Sequence, residues 1–186
     1  MKIPMTYADW SVCLDSFEAG TNDDEAIEAM GAGSLSWTGG VAPLFARRVS
    51  ETVDSRLKRI ADSMSRALRL GGDTTTLARA MLDARQKLAT VYRLAALPVF
   101  ADELKESLQK QVGQYAQTAQ QALEDSAKHD RSGHLASTIR NNSLLHYKAT
   151  AAAATVAEDA KALAVGAPSN NGISAGSAQR RRNILA

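Results

Sequence analysis

From residue 43 to residue 123 the apolar positions recur at helical intervals. Between Pro43 and Leu70, the residues Val49, Val53, Leu57, Ile60, Met64 and Leu68 are spaced 4, 4, 3, 4 and 4 apart. That is a continuous stripe along one face of a long helix, and Pro43 suits its first turn. Beyond Gly71-Gly72, Leu77, Met81, Ala84, Leu88, Val91 and Ala95 follow at 4, 3, 4, 3 and 4, the heptad interval of a coiled-coil-like seam. Asp73 and the threonines after it supply an N-cap. The short Gly-Gly connection makes 43–70 and 73–97 antiparallel neighbours. Pro98 breaks that path. A third run resumes near Ala101 or Asp102 with Leu104, Leu108, Gln111 or Val112, Tyr115, Ala119, and Ala122 or Leu123, and extends to about Lys128.

The pattern is shorter and weaker at both ends. Thr6 and Asp9 stand in a capping-box relation ahead of Trp10, Leu14 and Phe17, which share one helical face. Gly20 is the expected stop. A second short helix starts at Asn22 or Asp23, buries Ile27 and Met30, and closes in Gly31-Ala32-Gly33, with Asp23, Asp24 and Glu25 favourably placed in its first turn. Trp37 is the one large apolar residue of the loop 34–40, where a tryptophan either plugs a core or serves a partner. Residues 129–134 read as a polar turn. Leu135, Ile139, Leu144 and Leu145 follow irregularly. An alanine-rich helix is expected from about Leu145 to Ala164, packing through Val156, Ala160 and Leu163.

Composition strengthens the helical reading. Apolar residues make up 45% of the chain, aromatics only 5%, and there are four prolines. Alanine is entropically the cheapest helical residue, whereas aromatic and β-branched residues favour strands. The expected fold is therefore all-α: an elongated antiparallel bundle with long coiled-coil-like helices. A small acidic helical subdomain at 1–40 precedes the bundle at 41–165, which comprises the basic hairpin 41–97 and then 98–165. Residues 166–186 form a basic tail whose Gly/Ser/Asn/Pro composition predicts disorder. The single cysteine, Cys13, lies at helical spacing among Trp10, Leu14 and Phe17, as a buried core thiol would. It excludes an internal disulfide framework and points to a reducing, cytoplasmic setting. Residues 149–165 are interrupted by Glu158, Asp159 and Lys161, so they fall short of the roughly 20 apolar residues of a membrane span.

Charge changes the picture more than any motif does. The chain is +2 overall, but residues 1–40 are net −6, with Lys2 set against Asp9, Asp15, Glu18, Asp23, Asp24, Glu25 and Glu28. Residues 41–97 are net +6 and the tail is +3 through Arg180, Arg181 and Arg182. Segregation of this kind is a statement about contacts, within the chain or with partners.

The sequence carries only weak chemical patterns. His129 and His134 are five apart, His146 is further on, and the only cysteine is distant, which is poor spacing for zinc. Ser107 and Lys110 match a Ser-x-x-Lys spacing without a second supporting motif. The glycines at 31, 33, 39 and 40 have no phosphate-loop Gly-Lys-Ser/Thr. No catalytic, metal or cofactor site is expected. The sequence instead favours a non-enzymatic helical interaction or assembly subunit, an adaptor or scaffold with protein partners that include further copies of itself. Its candidate contacts are Arg47, Arg48, Arg56, Arg59, Arg66 and Arg69 on the hairpin, and Arg180, Arg181 and Arg182 as a docking run in the tail. The alternative is a nucleic-acid-binding accessory or regulator that uses the basic 41–97 hairpin. Against that alternative, acids interrupt the hairpin, no aromatics are interleaved for base stacking, and an oppositely charged segment lies in the same chain.

Overall fold

The computed structural model describes residues 1–36, 40–69, 73–128, 130 and 133–166. Trp37, Gly71-Gly72, His129, the tail 167–186 with its three arginines, and the side chains of Arg69, Ala160 and Leu163 lie outside that description. Within it the fold is all-helical: α1 Tyr7–Ala19, α2 Asp23–Gly31, α3 Val41–Arg69, α4 Thr74–Ala95, α5 Asp102–Ala127, α6 His134–Asn141, a 3-10 turn Leu144–His146, and α7 Tyr147–Gly166.

The helix ends follow local chemistry. The Thr6 hydroxyl accepts from the Asp9 N–H while the Asp9 carboxylate accepts from the Thr6 N–H, a complete capping box. Lys2 first, and then the Thr6 hydroxyl, hold the Asp9 carboxyl well below the usual carboxylate range. Gly20 closes α1 at φ +79°, a left-handed conformation that glycine adopts without strain. The Asp73 carboxylate caps α4 by accepting from the Thr75 and Thr76 N–H groups.

Helix α4 is the centre of the molecule. All six residues of its heptad run are buried. It packs against α3 on one side and α7 on another, and it also meets α5, α6, the 3-10 turn and α2. On α3, Val49, Val53, Leu57, Ile60 and Met64 are buried as their spacing requires. The pair runs antiparallel, so that Arg59 and Ile60 stand beside Lys87.

Three of the packing expectations are corrected. Leu68 is 39% exposed, because α3 and α5 leave a gap between them at that end. Helix α5 buries Leu108, Val112, Ala116, Gln120, Leu123 and Ala127, whereas Leu104, Tyr115 and Ala119 flank the core half-buried. Of the alternatives Gln111 and Val112, Val112 is the buried one, and Gln111 donates to the Asp54 carboxylate of α3. Val156 is 68% exposed, and α7 is instead held by Tyr147 and Ala151 at its start; the Tyr147 ring meets Tyr92 edge-on at 5.5 Å.

Gln120 was hidden in the sequence as one of many glutamines. It is 4% exposed, and its Oε1 accepts from the Leu144 N–H at 3.0 Å. Its Nε2 donates to Glu124 at 2.8 Å. One amide thus satisfies the backbone where the chain turns from α6 into α7. Gln120→Leu leaves the buried Leu144 N–H without that acceptor and is expected to destabilise by about 1–3 kcal/mol. Urea denaturation followed by circular dichroism measures this, with exposed Gln117→Leu as the reference that should change little.

The N-terminal segment is built into the same core. Trp10 is fully buried, 5.2 Å from the Phe45 ring and 6.0 Å from the Phe100 ring. Phe45 and Phe100 in turn meet edge-on at 5.9 Å. This triangle joins α1, α3 and the loop after Pro98. Cys13 is buried beside it, and burial pushes its thiol pKa up.

Candidate interaction surfaces

The six hairpin arginines fall into different environments. The Arg48 guanidinium donates to Asp15 at 2.5 Å and to Glu18 at 3.0 Å. Arg59 donates to the backbone carbonyls of Glu18 and Ala19 at the C-terminal end of α1, where a cation is favoured by the helix dipole. Arg56, expected on the surface, is 6% exposed: its Nη2 donates to Asp23 at 2.5 Å and its guanidinium lies 5.0 Å over the Phe17 ring. It is buried because the stripe residues Val53, Leu57 and Ile60 bring its side of α3 under the α1–α2 turn. Outside the six, Arg93 of α4 reaches Asp24 at 2.7 Å.

The acidic and basic segments therefore neutralise each other within the molecule. Arg47 and Arg66 are exposed, as is Arg59 despite its bonds to the α1 carbonyls. Arg47 is paired with Glu51 one turn along its own helix, an arrangement worth only a few tenths of a kcal/mol. Arg69 and the tail arginines fall outside the described residues.

Several apolar concavities are open among the described residues, and two of them border α3. One, about 240 Å³, lies between the ends of α3 and α5, with Met64 and Leu123 as its buried floor and Leu68 and Tyr115 as its walls. Small residues, Ala61, Ser65, Thr118, Ala119 and Ala122, line the rest. Burial raises the Tyr115 hydroxyl to about 12, with the Asp62 carboxylate adding to the shift, so the phenol is neutral at physiological pH. The other concavity, about 440 Å³, lies where Tyr7 faces Val41 and Leu44 of α3, with Arg47, Arg48 and Glu51 beyond them; Leu44 is 60% exposed.

The periodicity of α3 could not reveal the first groove. It is a property of how two helices diverge, and Leu68 carries the same spacing as its buried neighbours. Among the described residues no three of His, Cys, Asp and Glu converge as a metal site would require. None of the described helices is long and apolar enough to cross a membrane. Comparison with protein-family models, with curated proteins and with solved structures finds no match.

Proposed function

We propose that this chain is a non-enzymatic helical interaction subunit of adaptor or assembly type, and that it associates with further copies of itself through apolar helical surfaces. The α3/α5 groove is the observation that supports this reading most directly. Its small side chains admit close approach of another helix, since interaxial distance is set by the residues at the contact.

Helix α7 supplies a matching element. It runs on to Gly166, yet Ala151 is its last buried residue among those whose exposure is described, and Thr155, Val156 and Ala157 are exposed. Each copy thus offers exposed small and apolar positions on α7, Ala153 and Val156 among them, and a groove floored by apolar residues, the ingredients of a reciprocal contact.

Light scattering on the purified chain is expected to show concentration-dependent association in the micromolar range. Ala122→Glu, which places a charge in the groove at an exposed helical position, is expected to shift the chain to monomer with unchanged helicity. A strict monomer throughout that range would overturn the self-association.

The nucleic-acid reading has narrower support. Of the six hairpin arginines, Arg48, Arg56 and Arg59 already hydrogen-bond groups of α1 and α2, so Arg47 and Arg66 are the exposed ones that could track an extended phosphate backbone without touching that segment. Its signature is binding that weakens steeply with salt and falls on changing Arg47 and Arg66 to Glu.

A further inference from the structure

Another concavity differs in character from the apolar ones along α3. It is about 200 Å³ and is lined by Ala19, Gly20, Arg56, Arg59, Ile60 and Lys87. Three of these six residues are cations and none is an acid. Their counter-charges, Asp23 for Arg56 and Asp83 for Lys87, are held outside the lining. We propose that this pocket binds a single phosphate-class oxyanion, either free phosphate or a phosphate monoester.

The donor geometry comes from three elements. Arg56 and Arg59 are one turn apart on the same side of α3, and Lys87 faces them from α4. The Arg56 side chain is 7% exposed and oriented by Asp23 through Nη2. Its Nη1 lies so close to Gly20 that a Cβ there would come within 2.3 Å of it. Glycine therefore serves twice at this position, by allowing φ +79° and by leaving room for the guanidinium at the pocket wall. Arg59 is oriented by the Glu18 and Ala19 carbonyls through Nη1. A guanidinium carries five N–H donors in a fixed fork, so donors beyond those two nitrogens belong to each of these oriented groups. Lys87 is bound at 2.7 Å to an Asp83 that is half-exposed, a partner easily exchanged for a doubly charged ligand.

The end of α1 would ordinarily repel an anion, because helix C-termini carry partial negative charge. Here the carbonyls responsible are already covered: those of Glu18 and Ala19 by Arg59, and those of Ser16 and Phe17 by the Gly20 N–H. The volume is below the 300–1,000 Å³ typical of drug-sized ligands, which limits the ligand to a small group. A phosphate monoester is close to doubly charged at neutral pH and matches a cluster of cations better than a singly charged diester does.

The test is an NMR titration of the full chain with inorganic phosphate at constant ionic strength, using chloride as the reference. Saturable shifts at Gly20, Arg59 and Lys87 are expected. Lys87→Gln should weaken the apparent affinity about tenfold, the loss of one charge-assisted hydrogen bond, whereas exposed Lys58→Gln should leave it unchanged. O-phosphoserine binding more tightly than phosphate would assign the pocket to an esterified phosphate, and the reverse order to the free ion. No saturable shift relative to chloride would overturn the proposal. So would equal affinity in the Lys87→Gln chain, or dimethyl phosphate binding as well as the monoester.

Discussion

Replacing Trp10 by alanine is expected to cost the fold about 3–5 kcal/mol, the range for truncating a fully buried large aromatic. The indole fills the junction of three segments distant in sequence, and its Nε1–H donates to the Ser34 carbonyl at 3.1 Å. Ser34 N–H in turn donates to the Pro4 carbonyl, so the ring is enclosed by the chain on both sides of α1 and α2. Gly33 belongs to the same enclosure: a Cβ there would lie 2.8 Å from the indole and 3.0 Å from the Pro4 carbonyl oxygen. Trp10→Ala leaves a cavity shared by α1, α3 and the loop after Pro98, with little freedom to collapse.

Chemical denaturation followed by far-ultraviolet circular dichroism is the measurement. Trp37 complicates fluorescence, and the helical signal reports the whole molecule. One cooperative transition, shifted to lower denaturant, is expected because Trp10, Phe45 and Phe100 belong to one core. Separate melting of residues 1–40, with the long helices unaffected, would show that the aromatic triangle does not couple the segments.

That coupling marks where the sequence was informative and where it was not. All six expected positions of the α4 seam are buried, because four of them carry bulky residues at heptad spacing, whereas Ala89 and Leu94 are buried outside that spacing because helices surround α4 on more than one side. The caps at Thr6, Gly20 and Asp73 were legible because each answers a local need of the backbone. The α5 seam was mixed with its flanks because alanine and glutamine look alike whether they face a neighbour or water. Gln120 is buried only because the backbone of Leu144, 24 residues away, requires an acceptor. Val156 keeps the apolar periodicity of α7 but falls on its exposed face.

The site residues show the same divide. The charge imbalance between 1–40 and 41–97 raised docking of one on the other as a reading of the hairpin, since opposite charges of that size in one chain favour contact. Which arginines would take part was not legible. Arg47 and Arg48 are adjacent and chemically identical, but one faces solvent and the other bridges Asp15 and Glu18. Helical phase against α1 decides between them, and that phase depends on the packing of Trp10 and Phe17.

Arg56 carries the second large effect. Arg56→Met keeps most of the side-chain volume but leaves the Asp23 carboxylate without its cation, and it is expected to destabilise by about 3 kcal/mol, the scale of breaking one half of a buried ion pair. Asp23 Oδ1 is already buried without a hydrogen-bond partner among the described residues, so little protein is at hand to take over from the guanidinium. Asp23 is 23% exposed, and this partial access to water keeps the cost near the lower end of the range for such losses. The cation–π contact with Phe17 is lost as well, a further contribution of about 0.5–1 kcal/mol or more. Adding Asp23→Leu to Arg56→Met should recover much of the loss, because removing both charges also removes their desolvation cost. Arg47→Met on the same helix should change stability by no more than about 0.5 kcal/mol, as its partner Glu51 is half-exposed and the pair is solvated. Denaturation midpoints of the four chains decide the matter. If Arg56→Met and Arg47→Met cost the same, charge segregation in this sequence is a solvated surface pattern. A large difference restored by Asp23→Leu makes it the means by which the acidic helices are fixed on the basic ones.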